Sequence, residues 1–131
     1  MENLFPSNLK YLKLNNIFLV SIGVIPGALI RWQFNNDIFV NLFGSFILGF
    51  IVSCKLKKSL MLVFSVGFCG GLTTFSSWML DTYQLISKGL LLNALILIIL
   101  PICLALIFAG IGYWIGFMLK YWLSLYKKNK I

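Results

Sequence analysis

The residues best suited to chemistry lie in two short blocks. One reads Gly67-Phe68-Cys69-Gly70-Gly71-Leu72-Thr73-Thr74-Phe75-Ser76-Ser77-Trp78, the other Val40-Asn41-Leu42-Phe43-Gly44-Ser45-Phe46-Ile47-Leu48-Gly49. Both offer amide, hydroxyl and backbone groups, and neither holds a charge. In the first, adjacent glycines followed by Thr-Thr weaken a helix. In hydrocarbon, a broken backbone survives only where it is buried in protein or lines a wet cavity. The block is therefore either a tight helix-packing face or a discontinuous helix whose freed carbonyl and N–H groups meet an ion. Gly70 is expected to need a backbone geometry or a close approach that a Cβ would obstruct. In the second block the Asn41 amide either bonds a neighbouring helix or donates N–H groups to an anion.

What the chain lacks narrows the chemistry further. It has no His, and its only acids are Glu2, Asp37 and Asp81. Paired-carboxylate catalysis and His-based triads have no parts to work with, so the chain is expected not to be an enzyme. Cys54, Cys69 and Cys103 are far apart and lie in or beside apolar runs, with no CxxC spacing for a zinc site. They read as small hydrophobes. The formal net charge of +8 would suggest nucleic acid in a soluble chain. Here the basic residues flank apolar spans, so orientation and contact with anionic lipid headgroups explain them better, and no nucleic-acid partner is expected.

The elements that must position these blocks follow from hydropathy. Of 131 residues 60% are hydrophobic and 11% charged, with a mean hydropathy of +0.96. A soluble domain of this size could not cover so much apolar surface. At ~20 residues per crossing the apolar stock supplies about four membrane helices. Four stretches are predicted, at about residues 17–34, 38–54, 60–86 and 89–119. Very short connections force neighbouring helices to run antiparallel. The expected organisation is a polar, interfacial N-terminal segment over 1–16, a four-helix transmembrane channel domain over 17–122 and a basic tail over 123–131. A cleaved signal peptide is rejected, because the first apolar run is too long and no A-x-A site follows.

Together the segments resemble the small fluoride channels of the Fluc/CrcB family. The resemblance covers about residues 27–81 and rests on Gly27-Ala28-Leu29-Ile30-Arg31-Trp32, the Val40–Gly49 block and the Gly67–Trp78 block in that order. It implies an all-α membrane protein of four transmembrane helices, the third broken, assembling as an antiparallel dimer that lets fluoride leave the cytoplasm passively. Residue by residue, Asn41 matches the pore-lining amide and Phe75 the first of two aromatic residues that bracket fluoride. Trp78 takes the second aromatic position, where the family usually has Phe. Ser76 and Ser77 match the adjoining hydroxyl track. Gly70 and Thr73 match the backbone carbonyls that hold one structural Na+ at the dimer interface, and Arg31 matches the family's first-helix arginine. The fourth span has no Ser or Thr, although the family usually places hydroxyls there.

The physics of fluoride suits these residues. A strongly hydrated anion needs hydrogen-bond donors in place of lost water, and Asn41, Ser76 and Ser77 can supply them. The positive edge of the Phe75 ring can face an anion without a full charge. A small proton-coupled multidrug-type transporter is the competing four-helix reading. It needs a carboxylate within the membrane, and only Asp81, near the end of the third span, comes close. A weakly or non-conducting subunit of a heterodimeric channel is the other alternative.

Charge sets the expected orientation. With four spans, Lys10, Lys13, Lys55, Lys57, Lys58, Lys120, Lys127, Lys128 and Lys130 share one side, against Arg31 and Lys88 on the other. The positive-inside rule then puts both termini in the cytoplasm of a multi-pass plasma- or inner-membrane protein. A subunit inserting both ways should carry little such bias. A heterodimer with an oppositely oriented paralogue is therefore favoured over a homodimer.

Overall fold

The structure is a computed structural model that describes residues 7–34 and 36–128. In chain order its elements are α1 (Ser7–Phe34), α2 (Asp37–Cys54), α3 (Lys58–Met61), a π-helix π1 (Leu62–Cys69), α4 (Gly70–Leu72), α5 (Ser76–Ser87) and α6 (Leu91–Lys128). No strand occurs among the described residues. Four segments are long and apolar enough to cross a membrane: Leu14–Phe34, Asp37–Cys54, Lys58–Ser87 and Leu91–Tyr126. The third runs through α3, π1, α4 and α5 and contains the break.

Each turn has a local cause. The Asn36 side chain accepts the Phe39 N–H at 3.0 Å and so caps α2, while Asp37 in the first turn suits the positive end of the helix dipole. Lys55 ends α2 in the left-handed conformation, its N–H donating to the Val52 carbonyl. Between α5 and α6, Gly89 takes φ +75°. Its N–H donates to the Ile86 carbonyl and that of Leu90 to the Leu85 carbonyl, a Schellman ending.

The predicted spans stand, with two extensions. The helix that crosses at Ile17 already starts at Ser7, so the described part of the N-terminal segment continues α1 without a boundary at residue 16. Residues 1–6 lie outside the described residues. The fourth helix reaches Lys128, well past the predicted end near Leu119. Its 38 residues span about 57 Å at ~1.5 Å per residue, nearly twice a hydrocarbon core of ~30 Å. Tyr121, Trp122 and Tyr126 crowd the overhang and are exposed, as an aromatic belt at the membrane surface requires.

Helix packing is built on small residues, since lipid gives apolar side chains no reason to turn inward. Gly23 and Gly27 of α1 face Gly67 and Gly71 of π1 and α4. A Cβ on Gly67 would come within 2.6 Å of the Val20 carbonyl oxygen, and one on Gly71 equally near that of Val24. The second seam joins α2 to α6, where Gly49 lies against the backbone of Ala109 and Gly112 against that of Phe46. The molecule is thus two tight helix pairs. Leu72 and Val40 are fully buried, whereas most large apolar side chains of α1 and α6 face outward. Cys69 is buried, Cys54 half-buried and Cys103 exposed, all free thiols.

Candidate functional site at the helix break

The third span stops being helical after Leu72. Thr73 is extended (φ −81°, ψ 152°), Phe75 has φ −110° and ψ −31°, and α5 restarts at Ser76. Asn41 holds this break from α2. Its Oδ1 accepts the Thr74 N–H at 2.7 Å, and its Nδ2 donates to the Thr74 carbonyl at 2.8 Å. The amide therefore pairs with both backbone groups of one residue, and one Nδ2 hydrogen remains beyond that clamp. The hydroxyl of Ser45 steadies the helix below by donating to the Asn41 carbonyl at 2.8 Å.

The clamp changes the bonding around it. In an unbroken helix the Thr74 N–H would go to the Gly70 carbonyl; given instead to Asn41, it leaves Gly70 O without its helical donor. Thr73 closes the end of α4, its N–H and Oγ1 both donating to the Cys69 carbonyl at 3.0 Å. Arg31 reaches over from α1, and its Nη1 donates to the Thr73 carbonyl at 3.2 Å. On the far side, the first backbone bond of α5 runs from Met79 N–H to the Phe75 carbonyl. The N–H groups of Ser76, Ser77 and Trp78 are thus those a helix start leaves without intrahelical partners, at the positive end of the α5 dipole.

An open groove of about 600 Å³ runs along this break. It brings together Asn41, Gly70, Thr73, Phe75 and Trp78. Phe75 is 65% exposed, and its ring meets that of Trp78 edge to face, with centroids 5.4 Å apart at 89°. Ser76 and Ser77 are not on this wall. Ser76 is exposed in the first turn of α5, and the Ser77 hydroxyl lies 3.3 Å from that of Thr74, which does line the groove. Sequence reasoning missed Ser45, Ser65 and Thr74 as lining hydroxyls; nothing in their spacing distinguishes them from helix-packing serines and threonines. The fourth helix contributes Pro101, Ile102 and Ala105 to the wall, which is apolar on that side.

Within its own chain Gly70 is not crowded. It has an ordinary φ of −65°, and a Cβ there would meet nothing within 4 Å. The glycine whose backbone contact leaves no room is its neighbour Gly71, against Val24. Among the described residues no group of three or more His, Cys, Asp or Glu could hold a metal, and no acidic side chain lines the groove. The transporter alternative therefore has no carboxylate where it needs one.

Four apolar helices, the third of them broken beside a groove lined by an amide, hydroxyls and aromatic rings, define a multi-pass membrane protein. Residues 18–127 match the family model described as CrcB-like protein, Camphor Resistance (CrcB). The chain belongs to the CrcB family. It is 48% identical over 106 residues to "Fluoride-specific ion channel FluC 2" of Prochlorococcus marinus (strain MIT 9313), covering 81% of this chain and 86% of that one. It is 46% identical over 105 residues to "Fluoride-specific ion channel FluC 1" of Prochlorococcus marinus (strain NATL2A), covering 75% and 92%. A more distant relative, "Fluoride-specific ion channel FluC" of Methanocaldococcus jannaschii, is 33% identical over 114 residues, covering 74% and 92%.

Proposed function

We propose that this chain is a subunit of a fluoride-selective channel that lets fluoride leave the cell passively and so limits its toxicity. The observation that carries the reading is the Asn41–Thr74 clamp beside Phe75. It opens the helix, adds no charge of its own, and leaves an amide hydrogen and an aromatic ring beside the groove. Neutral donors suit conduction, because an anion must enter favourably and still depart. The Ser76 and Ser77 hydroxyls, together with the first N–H groups of α5, offer a second set of donors in the turn that follows Phe75. Reconstitution in liposomes tests the reading: fluoride efflux should be rapid and chloride efflux slow. Equal permeation of both ions, or of neither, defeats it.

An antiparallel dimer completes the site in this reading. Gly70 is exposed in the single chain and would take a partner's backbone close by. Sodium fits the groups available. The Gly70 carbonyl lacks its helical donor, and the Thr73 carbonyl keeps a second lone pair beside its bond to Arg31. These two neutral oxygens from each subunit would hold the ion, which when bound joins the two broken helices without a buried carboxylate.

The partner is an oppositely oriented paralogue, and both termini of this chain face the cytoplasm of a plasma or inner membrane. The nine-to-two distribution of basic residues favours this arrangement over a homodimer. The numbered names FluC 1 and FluC 2 carried by Prochlorococcus relatives are consistent with paired paralogues. Tag accessibility in intact cells decides it: a C-terminus confined to the cytoplasm is expected, and substantial exposure on both faces would rule the heterodimer out.

A further inference from the structure

We propose that Trp78 and Pro101 act as a positioning pair for Phe75, with Trp78 serving as a hydrogen-bonded strut in place of a second free ring beside the anion. The inference rests on the groove being the fluoride path. Pro101 lies inside α6 and has no N–H, so the Leu97 carbonyl four residues earlier loses its helical donor. An unpaired carbonyl is costly in hydrocarbon. Trp78 supplies the missing bond from another helix: its Nε1–H donates to Leu97 O at 2.6 Å.

An indole has one donor and no acceptor, so this bond uses its whole polar capacity. Trp78 cannot also turn its N–H to an ion. The bond fixes the plane of the indole, and that plane decides where an edge-to-face neighbour can stand. Phe75 takes that place, at 5.4 Å and 89°. Both Trp78 and Pro101 line the groove, so the pair replaces hydroxyl chemistry on α6 with a rigid aromatic corner. The two residues depend on each other. Without Pro101 the Leu97 carbonyl is taken by its own helix, and without Trp78 it is left bare.

The test uses the full chain in lipid vesicles, unsubstituted and as W78F, P101A and the double variant. W78F should lower fluoride flux about fivefold, the factor carried by one net hydrogen bond. P101A restores the helical N–H to Leu97 O and releases the indole. Its flux should fall similarly while its thermal midpoint holds or rises, a split that a merely structural role would not produce. In the double variant the same strut is lost only once, so flux should fall no further than in W78F, while the Leu97 carbonyl, satisfied by its own helix, should bring the thermal midpoint back above that of W78F. The chain has four tryptophans. The indole ¹⁵N–¹H signal lost in W78F should shift in P101A. An unchanged flux or unmoved indole signal in P101A, or losses that multiply in the double variant, overturns the pair while leaving the channel reading intact. Absence of fluoride flux from the unsubstituted chain, alone or with its partner, overturns both.

Discussion

Replacing Asn41 by Asp isolates charge from shape at the centre of the break. The side chain keeps its size, and Oδ1 can still accept the Thr74 N–H now at 2.7 Å. The other oxygen would face the Thr74 carbonyl that Nδ2 now bonds at 2.8 Å, stripping it of its donor and setting two acceptors against each other at a cost of about 1–3 kcal/mol. The larger effect falls on the ion. A carboxylate ~4 Å from fluoride, at an effective dielectric constant of about 20, repels it by about 4 kcal/mol. At ~1.4 kcal/mol per decade that lowers occupancy about a thousandfold. Asn41→Leu is the control, because it removes both bonds without adding charge. It strips the Thr74 N–H and carbonyl of their partners and should cost about 2–4 kcal/mol of stability. Fluoride efflux from loaded liposomes, followed with an ion-selective electrode, should therefore vanish in N41D although the protein still assembles. Efflux within twofold of the unsubstituted chain in N41D would refute the placement of Asn41 beside the ion.

Three further outcomes follow from the same geometry. Phe75→Ile removes the ring edge and its contact with Trp78, and should reduce fluoride flux while leaving assembly intact; liposome flux and gel filtration in detergent check both halves. Gly71→Val drives a side chain into the Val24 backbone and should sharply reduce the folded yield of the single chain, whereas Gly70→Val meets nothing within its own chain and should weaken only association, as cross-linking against thermal melting would show. Thr73→Ala loses the hydroxyl bond to the Cys69 carbonyl but keeps its own carbonyl, so it should cost about 0.5–1.5 kcal/mol in a thermal melt and leave association unchanged.

The spans were legible because hydropathy alone marks them, and the break was legible because Gly-Gly-Leu-Thr-Thr is a poor helix. Which faces pair was not. Inside a membrane both lipid-facing and protein-facing sides of a helix are apolar, so periodicity carries little information about contact. The Gly23/Gly27 and Gly67/Gly71 spacings do carry it, yet their meeting could be seen only once α1 lay beside π1 and α4. Asn41 was identified, but its chief occupation, holding Thr74, depends on an approach across 33 residues of sequence. Within the chain the glycine with no room for a Cβ is Gly71, one position from Gly70. Trp78 looked like a misfit at an aromatic position. The signal that explains it was present as Pro101, since a proline inside an apolar run obliges some distant donor to serve the carbonyl four residues earlier.

The break also bears on how such a chain can be made. A span with bare carbonyls is a poor candidate to sit alone in lipid, and the third crossing has a mean hydropathy of 1.5, against 3.0 for the fourth. Yet Arg31 and Asn41, which serve the carbonyls of Thr73 and Thr74, both precede them in the chain. Trp78 likewise precedes Leu97. During synthesis from the N-terminus, each of these orphaned carbonyls therefore emerges after the donor that will receive it. A nascent chain that has released its third span already contains both of that span's partners, and the fourth helix arrives with the donor for its interrupted turn waiting in the membrane.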